Sequence, residues 1–271
     1  MLPKEIVFVR HGQSESNLLT HWDINGGPKR NKHREVPDHA WRLTDNGVKQ
    51  ALNAKNNLPL FVDDVESFLK IVSPFSRAKE TASFIDPSPK KDWIVDFNVR
   101  EQSWGEIDGI SKTEWREHYP YNHSWREKDP LFWCPPGGES VITVVENRVA
   151  PFFESLKQLP KDSRVLVVTH GMFIKAVEFF LERPPLHELK AFFDNHVDNL
   201  GAVSYSKFNG GGYGLKKTAK LGDSSEPFLY RTSKVDTTLG NFDRLASLEN
   251  FHIEAGIFSP RFLTGKSETV F

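Results

Sequence analysis

What this chain lacks narrows its class before any motif is read. It holds 1 cysteine, Cys134, among 271 residues, which excludes an intramolecular disulfide framework and any multi-cysteine zinc site. No apolar run approaches the length of a membrane span, and residues 1–10 hold no long apolar stretch of the kind a secretory signal needs. With 35 basic and 36 acidic residues the formal charge is −1, a balance that suggests neither a nucleic-acid binder nor a membrane-surface protein. There is no P-loop lysine motif, no obvious metal-binding cluster, no internal repeat and no low-complexity segment. The expectation is a cytoplasmic protein of a reducing compartment, with no nucleic-acid partner and no membrane span. Its 38% hydrophobic and 12% aromatic residues suffice for a sizeable core, in one large domain or two small ones.

The chain is organised around its first strand end. Ile6, Val7, Phe8 and Val9 run unbroken and stop at Arg10, His11 and Gly12. Such a run reads as a strand buried on both faces, as in a parallel sheet, whose carboxyl end is where open α/β folds place ligands. Gly12 permits a sharp turn and close approach to a ligand, and Ser14 is placed to cap a following helix. The same logic recurs at residues 164–171, where an apolar strand ends in His170 and Gly171. Two such His-Gly steps are hard to explain as core packing. Between them, residues 68–72 read as a strand that Pro74 ends, with Arg77 where the next helix begins, and helix N-termini attract anions. Residues 93–97 read as a third strand, leaving towards Arg100, Glu101 and Glu106.

Arg10-His11-Gly12-x-Ser14-x-x-Asn17 resembles the signature of the histidine phosphatase superfamily, which includes the cofactor-dependent phosphoglycerate mutases. Residues 73–82 resemble its Ser-Pro-x-x-Arg-Ala-x-x-Thr-Ala segment, His170-Gly171 its second histidine, and Gly137-Gly138-Glu139-Ser140 a helix start found in its phosphatase members. The resemblance covers residues 5–206 or so. It implies an α/β fold, a three-layer α/β/α sandwich with a mostly parallel central sheet, and a catalytic domain over residues 1–206. It also implies Glu101 as proton donor, with Glu106 as a competitor on sequence alone.

The chemistry follows from residue type. Two guanidiniums, Arg10 and Arg77, match the charge and geometry of a phosphoryl group and stay protonated. A neutral His11 suits in-line attack on phosphorus, provided its other ring nitrogen donates to an acceptor, expected to be a backbone carbonyl. His170, expected protonated, joins Arg10 and Arg77 on the equatorial oxygens. Glu101 protonates the leaving oxygen and then activates water, which needs a raised pKa that an aromatic lid would supply by desolvation. Asn17 and the backbone near Gly12 are the expected phosphoryl ligands. No metal and no cofactor enter this scheme.

Residues 111–136 are expected to form a lid insertion, with a short helix from Ser111 to His118 and then irregular chain rich in aromatics and cations. Trp104 and Arg126 are its candidate contacts to substrate. Arg100 is carried with them, though it reads equally as a surface residue or as one that holds the Glu101 loop. Thr44 is the expected N-cap of a helix, another helix covers residues 139–157, and the basic run at 29–34 reads as a surface or as the mouth of the site. From residue 207 onward the pattern weakens into strand pieces and a tail. This 207–271 extension is expected to pack on the domain or on a partner, with an oligomer possible through it.

The expected function is phosphomonoester hydrolysis of a small phosphorylated substrate through a phosphohistidine. The alternatives are a phosphoglycerate mutase-type phosphotransferase and a non-catalytic phosphate-recognising protein. Glycolytic mutases carry an adjacent arginine pair, whereas this chain has Trp115-Arg116-Glu117 and Trp125-Arg126-Glu127.

Overall fold

Two long apolar runs form the centre of the sheet. In the computed structural model, which describes residues 2–18, 36–86, 93–207, 212–224 and 228–235, β1 (Glu5–Arg10) and β4 (Arg164–Thr169) pair in parallel from Glu5↔Arg164 to Arg10↔Thr169. β2 (Leu69–Val72) joins β4 on its other side, and the short β3 (Ile94–Val95) joins β2, both in parallel. On the other flank β5 (Gly201–Lys207), β6 (Tyr213–Lys220) and β7 (Tyr230–Lys234) follow β1, each antiparallel to its neighbour. The order is β3-β2-β4-β1-β5-β6-β7. The basic run at 29–34 and the tail at 236–271 lie outside the described residues.

Side-chain alternation divides the core in two. Ile6, Phe8, Val165 and Val167 face one helical layer, and Val7, Val9, Leu166 and Val168 face the other. The first layer contains α5, built of Val141–Val144, a π turn Val145–Val149 and Ala150–Leu156, together with α6 (Gly171–Glu182) and α7 (Leu189–Asp194). The second contains α1 (Asp45–Phe61) and α2 (Ser76–Ile85). The three-layer α/β/α expectation therefore holds, with a parallel set of strands extended by antiparallel ones.

Local chemistry sets the helix starts. The Thr44 hydroxyl accepts from the Gly47 amide at 3.0 Å, and such a cap contributes about 1 kcal/mol. Gly47 itself is needed for packing: a Cβ there would sit 2.0 Å from the Gln13 carbonyl, so α1 lies directly against the loop after β1. α6 is buried almost all round, from Phe173 to Leu181, which fits its apolar composition.

Two segments depart from the sequence reading. β3 spans only Ile94–Val95, both exposed, because an edge strand has one neighbour to pair with. The segment after residue 118 is regular: α3 (Lys112–His118), opened by a capping box between Ser111 and Glu114, is followed at once by α4 (Pro120–Lys128). Pro120 starts α4 because its fixed φ and missing N–H suit the first helical turn.

Candidate active site

The parallel strands deliver their carboxyl ends to one edge. The His11 amide donates to the Thr169 carbonyl at 2.9 Å and the Ser73 amide to the Val168 carbonyl at 3.0 Å. This brings the chain after β1, β2 and β4 side by side, with the His11 and His170 rings 5.1 Å apart.

His11 is buried and its tautomer is set by its neighbours. Nδ1 lies 2.7 Å from the Gly12 carbonyl, which only accepts, so Nδ1 carries the proton. Nε2 then holds a lone pair, which accepts from Arg77 Nε at 3.2 Å. Burial first, then Arg77 and Arg10, push the imidazole well below the ordinary histidine range, so it is neutral.

Gly12, an expected phosphoryl contact, has both backbone polar groups engaged within the protein. Its amide donates to Thr81 Oγ1 at 3.1 Å, its carbonyl is taken by His11, and it is absent from the cleft lining. A Cβ there would meet the Gly47 carbonyl at 2.7 Å, so the glycine serves the approach of α1.

Arg77 is held by a residue the sequence reading missed. Its Nη1 donates to the Asp38 carbonyl at 2.6 Å, and its Nη2 lies 3.2 Å from the Asp38 carboxylate. Arg10 Nη1 donates to the Val197 carbonyl at 2.5 Å. Asn17 Oδ1 accepts from the Ser14 amide at 3.2 Å and from Asn199 Nδ2 at 3.1 Å. With its oxygen so used, the Asn17 amide nitrogen remains for other acceptors. Asn199 Nδ2 also reaches the His11 carbonyl at 3.1 Å.

His170 differs from expectation. It is fully buried, and its Nε2 pairs with Ser73 Oγ at 2.7 Å. Nδ1 has no hydrogen-bond partner among the described residues. Burial, then Arg77, His11 and Arg10, lower its pKa well below the ordinary value. The ring is therefore neutral in the free protein, not protonated: burial and the arginines Arg77, Arg10 and Arg148 oppose a charge there.

Glu101 faces Arg77 and Arg10 at the cleft, and burial raises its pKa, opposed by the Gln102 amide and the two guanidiniums. Its competitor Glu106 is exposed, receives the Tyr119 hydroxyl at 3.2 Å and does not line the cleft. The Glu101 segment is tied down by a second residue that sequence reasoning missed. Arg148, buried in the π turn, donates from Nη1 to the carbonyls of Arg100 at 2.7 Å and Glu101 at 3.2 Å, and from Nη2 to Glu139 at 2.8 Å. Burial pulls its pKa down to about 10, so it stays charged. A lone arginine among the apolar residues of α5 was the available signal. Asp38 had none, since the segment before it carries no periodic pattern.

Arg100 turns to the same support and corrects the substrate-side expectation. Its Nη2 pairs with Glu139 at 3.2 Å, its Nη1 bonds the Phe97 carbonyl at 3.0 Å, and it does not line the cleft. Trp104 and Arg126 do line it, with Ile107, Ile110, Trp115 and Met172, in a cleft of about 480 Å³. Among the described residues no group of three His, Cys, Asp or Glu is arranged to hold a metal, and no helix is long and apolar enough to cross a membrane.

A mixed sheet between two helical layers, with histidines and arginines gathered at the carboxyl ends of its parallel strands, defines a phosphoglycerate mutase-like α/β protein. The chain belongs to the histidine phosphatase superfamily (branch 1), whose pattern matches residues 6–219. It is 30% identical over 194 residues to a 2,3-bisphosphoglycerate-dependent phosphoglycerate mutase of Parvibaculum lavamentivorans, covering 67% of this chain and 81% of that one. It is 31% identical over 166 residues to a phosphoglycerate mutase-like protein of Arabidopsis thaliana, covering 58% of this chain and 47% of that one. In fold it is similar to a mycobacterial glucosyl-3-phosphoglycerate phosphatase solved with VO3, at 22% identity and a TM-score of 0.60 over 87% of this chain and all (100%) of that one. It is also similar to a putative alpha-ribazole-5'-P phosphatase from Escherichia coli, at 17% identity and a TM-score of 0.59 over 86% and 96%. Members of the superfamily are enzymes, phosphatases and mutases among them.

Proposed function

We propose that the protein is a phosphomonoester hydrolase that works through a phosphohistidine on His11. The observation that carries this reading is the state of that ring: neutral, buried, with Nδ1–H fixed on Gly12 and the Nε2 lone pair beside a guanidinium. Nε2 attacks phosphorus as the bond to the leaving oxygen breaks, and Glu101, whose pKa burial raises, gives that oxygen its proton. Arg10, Arg77 and Asn17 hold the non-bridging oxygens. The arriving dianion supplies negative charge beside His170, which takes up one proton from solvent as the substrate binds. Water then attacks the phosphohistidine, losing its proton to the Glu101 carboxylate.

Acid-quench and alkaline-quench trapping with radiolabelled phenyl phosphate tests this. An acid-labile, alkali-stable phosphoenzyme is expected, absent in His11→Ala. Turnover without such a species refutes the intermediate.

The mutase reading stands second, because several relatives near 30% identity carry that name. It predicts that 3-phosphoglycerate is isomerised faster than phenyl phosphate is hydrolysed. The absence of an adjacent arginine pair at Trp115-Arg116-Glu117 and Trp125-Arg126-Glu127 favours the hydrolase.

A further inference from the structure

One helix of the site starts on a residue that cannot cap it. Helix starts favour Ser, Thr, Asp or Asn, whose side chains accept from the first free amides. α2 starts on Phe75, which makes no side-chain cap bond. Its ring is only half-buried and does not line the cleft, so neither capping nor deep core packing nor ligand contact accounts for an aromatic there.

The neighbours of the ring do account for it. The Arg77 guanidinium lies over its face, with Cζ 4.9 Å from the centroid. Each nitrogen of that guanidinium is engaged at its edge, Nε by His11 and both Nη by Asp38, so Phe75 holds the cation by the face that hydrogen bonds leave over. The His170 ring meets Phe75 at 5.0 Å and 68°, an edge-to-face contact that fixes ring orientation. His170 is otherwise held at Nε2 by the neutral Ser73 hydroxyl at 2.7 Å, which can accept or donate there and so suits both charge states of the imidazole. The charged and titratable groups that act on His170 are Arg77 from α2, His11 and Arg10 from the end of β1, and Arg148 from α5. Beyond Phe75 lies the exposed His39, its ring 6.3 Å away. Phe75 therefore stands between the fully buried His170 and solvent, on a side that does not border the cleft.

We propose that Phe75 is a positioning residue of the phosphoryl site: it keeps Arg77 and His170 in one geometry and shuts water away from His170, so that the ring gains its proton only when an anion fills the cleft. This deepens the hydrolase reading above, on which its part in turnover rests.

The test follows the His170 ring by nitrogen NMR, assigned with His170→Gln, across a pH series with and without inorganic phosphate. It is run on the wild-type protein, Phe75→Leu, Phe75→Ala and Phe75→Ser; the serine restores a cap residue to α2, which offsets part of the lost packing. In the wild type the free ring is expected to stay neutral below about pH 6.5, the ordinary histidine value, and to become charged with phosphate. In Phe75→Ala and Phe75→Ser the free ring is expected to titrate near that ordinary value, with phosphate changing it little. kcat/KM for phenyl phosphate is expected to fall about tenfold, the scale of one desolvated cation–π contact. Phe75→Leu, which keeps apolar bulk without the π face, is expected to retain most of the ring's neutrality and to lose activity. A His170 titration in the alanine and serine variants that matches the wild type overturns the proposal. So does a free wild-type ring that is already charged, or a loss of activity that only follows urea stability from variant to variant. Failure to trap a phosphoenzyme, beside a titration that moves as expected, removes the hydrolase reading and leaves the hold of Phe75 on His170; an unmoved titration beside a trapped phosphoenzyme removes this inference alone.

Discussion

Replacing Arg148 by methionine tests how the acid/base carboxylate is positioned. Arg148 touches no part of the cleft, yet it donates to the carbonyls of Arg100 and Glu101 and pairs with Glu139. Methionine keeps the length and apolar stem and removes all three contacts. Breaking a buried ion pair by deleting one partner costs about 3–5 kcal/mol. Glu139 retains Arg100 at 3.2 Å and the Ser103 amide at 2.8 Å, so a value of about 3 kcal/mol is expected. In a domain of this size that lowers Tm by about 6–12 °C. The catalytic effect is separate. A shift of about 1 Å in a reacting group costs about a hundredfold, so kcat should fall by that order while KM changes little, because Arg10 and Arg77 are placed by β1 and α2. Urea denaturation and steady-state kinetics measure the two. The loss should be larger for phenyl phosphate than for nitrophenyl phosphate, whose better leaving group needs less protonation. A destabilised variant with kcat within threefold of wild type, or an equal loss on both esters, would refute the link from Arg148 to Glu101.

The remaining predictions concern charge and packing. Activity should persist well below pH 6.5, where an ordinary histidine nucleophile would be lost to protonation, because burial and two arginines keep His11 neutral. It should fall as pH rises through the elevated Glu101 value, since the acid must be protonated; a kcat/KM profile with an ascending limb near pH 6.5 contradicts this. Asp38→Asn removes a negative charge that helps raise Glu101, so the descending limb should move to lower pH, and phosphate should inhibit more strongly because Arg77 loses a competing carboxylate. An unmoved limb would remove Asp38 from the electrostatics of the site. Gly47→Ala forces a Cβ to 2.0 Å from the Gln13 carbonyl, backbone against side chain, and should cost about 3 kcal/mol or more in urea unfolding. Glu178 lies between Lys175 and Lys216, each at 2.8 Å; burial pushes its carboxyl up, but the two lysines outweigh it and leave it below the ordinary range. Its stabilising contribution is therefore present above the unfolded-state value and lost as pH falls through the lower folded value, and Glu178→Gln should abolish that part of the acid sensitivity.

How far the sequence discloses the molecule depends on which force shapes each part. β1 and β4 are legible because a strand buried on both faces must be apolar throughout, and their ends are marked by the His-Gly steps. α1 is legible through Thr44, since a cap is a local interaction. β3 is overcalled at residues 93–97 because β-propensity does not reveal that a strand lies at an edge. α4 is missed because Pro-Tyr-Asn-His-Ser-Trp-Arg-Glu-Lys lacks a helical apolar stripe; its place depends on Asn122 and the tryptophans, contacts that exist only in three dimensions. The same holds for the site. Motifs single out Arg10, His11, Arg77 and His170, but the partners that hold Arg77, His170 and the Glu101 segment are Asp38, Ser73 and Arg148, through pairs 39, 97 and 47 residues apart. At Gly12 the close approach that the structure shows is to α1, at the Gly47 carbonyl.

The neutrality of His170 bears on the order of events in the proposed mechanism. In the free protein Arg77 is engaged by Asp38, and both imidazoles are uncharged. The positive charge offered to a ligand therefore comes mainly from Arg10, whose Nε has no partner among the described residues, and from whatever part of Arg77 the ligand can win from the Asp38 carboxylate. A phosphate monoester brings about two negative charges near neutral pH, more than this supply balances. In the proposed mechanism the shortfall is met by a proton taken from solvent onto His170, because its pKa is depressed mainly by burial and by arginines, whose effect a bound dianion opposes. Had His170 been charged from the start, it would have stood 5.1 Å from the nucleophile as a third fixed cation with no anion beside it, at a desolvation cost of several kcal/mol. Charging it only when the phosphoryl group arrives avoids that cost and keeps the lone pair of His11 clear of a competing proton until the substrate is in place.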